Sequence, residues 1–264
     1  AAARAAGATM IGTGLTPEGV WQNAVVFDLM NENSYRSSAV DLEVWVAHYA
    51  SRRYGTQIPA ALEQLTAAWQ TLRQTAYNGT DGEMVSKDAV TAIPYGRPWD
   101  KVYGTDNPRT NQSLYDDVKF LSAWKAMLAA SGSDPALAQK STFIFDLVDI
   151  GRQAMAKYSS RLVEKLSGAI AANSTTRVKT HGDQLLVLLE ELDTLLGSSQ
   201  GFLFGKWIAD SEQHGTTAAE KQLMRWNAKT QVTFWEYPQP DPNDPGGVMK
   251  PSNLQDYACK QWSG

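Results

Sequence analysis

From Asp41 onward, apolar residues return at helical spacing, and no alternating run follows residue 40 that could build a sheet. This constrains the fold more than any other feature of the chain. "VDLEVWVAHYASRRYG" reads as a helix that starts near Asp41 and stops at Gly55, with two arginines in its last turn. "IPAALEQLTAAWQTLRQTAYN" opens on Pro59 and carries Leu62, Leu65, Trp69 and Leu72 along one stripe. Helix returns at "SLYDDVKFLSAWKAMLAAS". "DPALAQKSTFIFDLVDIGRQAMAKYSSRLVEKLSGAIAANS" predicts one long helix or two joined ones, and "HGDQLLVLLEELDTLLG" follows, closed by Gly197. "GFLFGKWIADSEQHG" predicts a short helix, and "TTAAEKQLMRWNAKTQVTFW" starts helical and ends β-like. The segment from Gly79 to Asn111 and the stretch "EYPQPDPNDPGGVMKPSN" are long Gly- and Pro-containing connections.

The exception to helix lies at the beginning. "ATMIGTGL" reads as a short buried strand that breaks at Gly12 and Gly14, and "VVFDLM" places Val25, Val26, Leu29 and Met30 on one helical face. Thr16 and Pro17 form a helix-start signal, and Glu18 falls in the first turn, where the helix dipole favours a negative charge. A phosphate loop is disfavoured: the third glycine comes too late, no Lys-Ser/Thr pair follows, and Glu18 would repel a phosphate. Two readings of Glu18 stay open locally. It steadies its helix, or it is a carboxylate at the C-terminal rim of an α/β barrel, where reactive side chains sit. A lone strand cannot satisfy its own backbone, so residues 1 to about 40 read as the last piece of a larger sheet or barrel. Both ends of the chain read as those of a fragment.

Composition narrows the function classes. The chain has 264 residues and a net charge of −4, with no dense basic stripe, so nucleic acid is an unsuited partner. No apolar run reaches the ~20 residues that span a bilayer. "AAARAAGA" lacks the apolar core and cleavage pattern of a signal peptide. The single cysteine, Cys259, excludes a disulfide within the chain. His48, His181 and His214 are scattered without metal-ligand spacing, and neither a metal nor a cofactor is expected. Asn78, Asn111 and Asn173 each begin an Asn-X-Ser/Thr triplet and are candidate glycosylation sites, which favours a secreted or lysosomal/vacuolar setting.

The blocks "TMIGTGLTPEGVWQNAVVFDLM", "WVAHYASRRYG", "TLRQTAYN", "FDLVDIGRQA", "FLFGKWI", "KTQVTFW" and "LQDYACKQWSG", in that order, resemble the α-N-acetylglucosaminidase family of glycoside hydrolases, from about Thr9 to the end. The first block is the most specific. The resemblance implies a mainly α protein. Residues 1–44 would be the last strand-helix piece of a catalytic (β/α)8 barrel whose remainder is missing from the chain, and residues 45–264 a C-terminal helical domain.

The implied reaction is retaining hydrolysis of terminal α-linked N-acetylglucosamine from glycans such as heparan sulfate. Such reactions use two carboxylates roughly 5–5.5 Å apart. Glu18, in "TPEG", matches the nucleophile; the acid/base would lie upstream of the chain, so the fragment alone should be inactive. A non-catalytic scaffold or binding subunit is the alternative. Trp235 matches a tryptophan near the sugar pocket, with core packing as its other reading. Asn23 could orient Glu18, and Tyr257, with Asp256, is a weaker candidate for substrate contact. Asp146, Asp149 and Arg152 recur at helical spacing, where charge pairing between helices is favoured over catalysis. The implied partners are the glycan and the missing barrel of the same protein; homo-oligomerisation stays open. The loop "AIPYGRPWDKVYG" and the proline-rich insert after Trp235 depart from the family's shorter connections, and residues 1–8 match no family pattern.

Overall fold

The computed structural model describes residue 9 and residues 11–15, 24–78 and 115–233. Eight α-helices lie among these residues, numbered here in chain order: α1 (Ala24–Asn33), α2 (Leu42–Tyr54), α3 (Pro59–Gln74), α4 (Asp117–Ser133), α5 (Ser141–Ala171), α6 (Thr175–Gly197), α7 (Phe204–Glu212) and α8 (Ala218–Thr233). A 3-10 turn at Pro135–Gln139 joins α4 to α5. No β-strand occurs among the described residues.

By packing, the chain falls into two units. One spans Asp41–Gly201 and holds α2 to α6; the other holds α1, α7 and α8. In the first unit α3 packs against both α2 and α4, while α5 packs against α4, α6 and α2.

Local chemistry sets the helix ends. Asp41 accepts from the backbone N–H groups of Glu43 and Val44, and Gly55 closes α2 in the left-handed region at φ 59°. Pro59 opens α3 at a position where its missing N–H costs nothing. Asp116 caps α4 by accepting from Val118 and Lys119. The joining segment uses Asp134, which closes α4 and accepts from Ala136 N–H, while its other oxygen accepts from the Thr56 hydroxyl at 2.6 Å. The long reading of "DPALAQKSTFIF…" therefore resolves into a 3-10 turn and a single 31-residue helix.

The core of this unit is dense and partly aromatic. α3 buries Ala61, Leu65, Ala68, Trp69 and Leu72, while α4 buries Phe120, Ala123, Met127 and Ala130. Alanines at these positions let helix axes approach closely, and the burial of Leu65 and Met127 stabilises each by roughly 2 kcal/mol. Trp45 stacks on Tyr49 at 5.4 Å between centroids, and Tyr49 meets Trp69 edge-on at 4.9 Å. α6 buries Leu188, Leu192 and Leu196 at i, i+4 and i+8, whereas Leu186 and Val187 are exposed. The apolar block "LLVLL" thus feeds one buried stripe rather than a fully buried helix.

In the second unit α7 packs on α8. Trp207 donates its indole N–H to the Ala228 carbonyl at 3.1 Å, Ser211 bonds the Met224 carbonyl at 3.0 Å, and Arg225 pairs with Glu212. α8 opens with a capping box. Thr217 Oγ1 accepts from Glu220 N–H, while Glu220 accepts from the N–H groups of Thr216 and Thr217.

Three sequence expectations need correction. Ile11 to Gly14 are exposed and form no strand, because the described chain offers no neighbouring strand to pair with them. On α1 only Val25 of the expected apolar face is buried; Val26 and Met30 are exposed. The β-like end expected after "NAKT" also remains helical through Thr233, within the helix that packs on α7.

Candidate functional site

Glu18, Asn23, Trp235, Tyr257 and Asp256 lie outside the described residues, as do Asn111 and Cys259. The described flanks of Glu18 are residues 11–15, which form no regular element, and helix α1. The side chain of Thr13 contacts Ser34, just beyond the C-terminal end of α1. A Cβ built at Gly12 or Gly14 meets nothing within 4 Å, so no crowding in the described surroundings requires glycine at either position.

Within the helical unit, two polar clusters are buried. The first ties α2, α3 and α5 together. Asp146 accepts from Arg53 through both guanidinium Nη2, at 2.7 Å, and Nε. It also accepts from the Tyr54 hydroxyl at 2.6 Å. That hydroxyl in turn accepts the indole N–H of Trp69 at 2.8 Å. Burial pushes the Asp146 carboxyl above its usual range, offset in part by the donors of Arg53 and Tyr54. The same carboxylate holds Arg53 further above its ordinary value, so its guanidinium stays charged. Tyr54 is pushed well up by burial and then by Asp146, and stays a phenol that donates. Every donor in this chain of bonds is aimed at an acceptor. It braces three helices, as the interhelical reading of Asp146 expects.

The second cluster lines α5 one turn further on. Asp149 accepts from Arg152 through two guanidinium nitrogens at 3.0 and 2.9 Å, within the same helix rather than between helices. Gln153 donates to the Tyr115 hydroxyl at 3.3 Å, and the Lys157 ammonium lies 4.5 Å from the centre of the Tyr115 ring. Arg152 and Lys157 are only 5% and 8% exposed. Among the described residues Arg152 Nη1 and Gln153 Oε1 have no hydrogen-bond partner. Gln153 and Lys157 were not singled out in the sequence, although Asp149, Gln153 and Lys157 repeat at i, i+4 and i+8 along one face of α5. Tyr115, which organises them, is remote in sequence. Beside this cluster a groove of about 250 Å³ runs between α4 and α5, lined by Val118, Leu121, Trp124, Met155 and Tyr158, with the Arg161–Asp117 pair at 2.9 Å on its rim.

Of the glycosylation candidates that are described, Asn78 and Asn173 are both exposed. Among the described residues no group of three His, Cys, Asp or Glu side chains is placed to hold a metal ion, and no helix is long and apolar enough to cross a membrane.

Comparison with known proteins locates the chain. Residues 45–264 match the family model described as the α-N-acetylglucosaminidase (NAGLU) C-terminal domain. The human protein named α-N-acetylglucosaminidase is 32% identical over 259 residues, which cover 97% of this chain and 31% of that protein. Two structures of a family 89 glycoside hydrolase from Clostridium perfringens align as well, one in complex with 2-acetamido-1,2-dideoxynojirimycin and one with PUGNAc. Each shares 22% identity, covers 92% of this chain and 26% of that one, and superposes with a TM-score of 0.65 and 0.66 respectively. At that identity the likeness shows the fold. A further structure of the Clostridium enzyme, with both of two glutamates replaced, holds its substrate GlcNAc-α-1,4-galactose. The chain spans less than a third of the length of these relatives.

Proposed function

This chain belongs to the α-N-acetylglucosaminidase family, and from that premise we propose that it is the C-terminal part of a retaining glycoside hydrolase that releases terminal α-linked N-acetylglucosamine, with Glu18 as the nucleophile. One observation carries the reading. The identity to the human enzyme covers 97% of the chain, so it takes in the "TPEG" segment that precedes the helical-domain match.

In this reading residues 1–44 close a (β/α)8 barrel supplied by upstream sequence, and the helical domain begins at residue 45. The exposed residues 11–14 suit a strand end whose neighbours come from that upstream chain. The helix-start signal of Thr16 and Pro17 would put Glu18 in a first turn, where a helix dipole favours the ionised carboxylate. Glu18 attacks the anomeric carbon from the β face while an upstream carboxylic acid protonates the leaving oxygen. The same acid, now a base, then activates water to release the sugar with its α configuration retained. Trp235 forms an apolar platform for the sugar, Asn23 orients Glu18, and Tyr257 contacts the substrate. Heparan-type glycans are substrates of the complete protein, and a lysosomal, vacuolar or secreted setting suits it.

The test uses the complete protein and an aryl α-N-acetylglucosaminide. Glu18→Gln should lower kcat by roughly 10⁴-fold or more, as loss of a covalent nucleophile does elsewhere. Glu18→Ala with added azide should regain turnover and yield the β-glycosyl azide, because azide enters from the vacated face. Wild-type turnover in Glu18→Gln, or an α-azide product, overturns the assignment of Glu18. A wild-type protein with no turnover overturns the enzyme reading.

A further inference from the structure

Asn173 ends α5 at the tip of the hairpin formed with α6, and it is the one non-glycine residue with positive φ (50°) among those described. Its N–H donates to the Ile170 carbonyl at 2.9 Å, and the next N–H, of Ser174, reaches back to Ala169 at 3.0 Å. This pair of bonds closes a helix through a left-handed residue. Asparagine tolerates that conformation, which is sufficient reason for Asn at this place. Glycine, however, does so more readily.

Two features go beyond turn geometry. Ser174 and Thr175 complete an Asn-X-Thr triplet, with Asn173 and Thr175 exposed. The Asn173 carboxamide makes no hydrogen bond to the described residues, because the turn is held entirely by backbone groups. A substituent on Nδ2 would therefore break no hydrogen bond among the described residues. Asn78 is exposed as well, but its triplet runs into residues outside those described, and Asn111 lies wholly outside them.

We infer that Asn173 carries an N-linked glycan, and that the α5–α6 tip consequently faces solvent in the complete protein, most of whose expected length lies outside this chain. The inference rests on the secreted or lysosomal setting given under the proposed function. The donor is a lipid-linked oligosaccharyl diphosphate. The Asn173 Nδ2–C1 bond forms, the C1–O bond to the diphosphate breaks, and the amide proton leaves with the released lipid diphosphate.

The complete protein would be produced in a secretory eukaryotic host, and its peptides mapped before and after enzymatic deglycosylation in heavy-oxygen water. The Asn173 peptide should acquire the label only after deglycosylation. Asn173→Gly keeps the left-handed turn and Thr175→Ala keeps Asn173, yet each should lose one glycan on an electrophoretic ladder. Thr175→Ser should keep it. Turnover of the aryl glycoside should be unchanged in Asn173→Gly, which separates this inference from the assignment of Glu18. An Asn173 peptide that is unmodified in the wild type, with or without occupancy at Asn78, overturns the inference. So does a Thr175→Ala protein with the full ladder.

Discussion

Removing the Asp146 carboxylate should be among the costliest single changes available in the helical unit. In Asp146→Ala, Arg53, whose side chain is 16% exposed, loses a two-nitrogen partner, and the buried Tyr54 hydroxyl loses its acceptor. Breaking a buried pair from one side costs about 3–5 kcal/mol, because the remaining charge stays desolvated. An exposed pair such as Lys179–Asp183 is expected to contribute well under about 1 kcal/mol. Amide hydrogen exchange on the complete protein reads the difference element by element. Protection in α2 and α5 should fall by roughly 10²- to 10⁴-fold, at about 1.4 kcal/mol per tenfold, while α7 and α8 should change little. The double variant Arg53→Met/Asp146→Leu removes both charges together and should recover most of the loss, giving strong non-additivity.

The same site gives a signed pH dependence. Burial raises the Asp146 pKa on folding, so the folded protein holds the proton more tightly than the unfolded chain. Its titration therefore favours the folded state most below the ordinary aspartate value of about 4, and that contribution declines as pH rises through the folded value. Asp146→Asn does not titrate and serves as the reference. The stability margin of the wild type over Asp146→Asn should narrow as pH is raised from about 4. A margin that widens would mean that the Arg53 and Tyr54 donors outweigh burial. An Asp146→Ala loss below about 1 kcal/mol would refute the brace itself, since that is the range of an exposed pair.

Two further changes probe the packing and the caps. A methyl at Gly151 would lie 2.7–2.8 Å from three atoms of the Trp124 indole, so Gly151→Ala must displace that ring. The expected cost is about 1–3 kcal/mol, seen as a lowered melting temperature and altered ligand access to the α4–α5 groove, and Trp124→Leu in the same chain should relieve part of it. Glu220 is held down to about 2 by the Thr216 hydroxyl and then by the N–H groups of Thr217 and Thr216. Its folded pKa lies below the unfolded value, so its support for the start of α8 is present above about pH 4.5 and is lost as pH falls towards 2. A carboxyl titration followed by NMR should show that low midpoint, and Thr216→Val should raise it.

The parts of the fold that were legible in the sequence are those set by chemistry within a few residues. Asp41, Gly55 and Pro59 mark the ends of α2 and α3 because each acts on its own backbone or that of its neighbours, so a single sequence carries the whole cause. Of the expected stripe, Leu65, Trp69 and Leu72 are buried while Leu62 is only half-buried, so the stripe is legible for the same reason, the helical period being local, except at its first residue. Asp146 is different. Its partner Arg53 is 93 residues away, whereas Arg152, a charge of opposite sign on its own helix, sits three residues after Asp149 and pairs with that residue. Spacing on one helix shows that two charges can meet; it does not show which of them points into a neighbouring helix. The opening segment fails for the converse reason. Its apolar pattern does suit a strand, but a strand is made by its neighbours, and Ile11 to Gly14 have none in the described chain. The carboxylate of Glu18 is in the same position. Its local sequence explains a helix start and nothing more, and the proposed nucleophile role depends on a second carboxyl group, from another part of the polypeptide, reaching the glycosidic oxygen of the bond whose anomeric carbon Glu18 attacks.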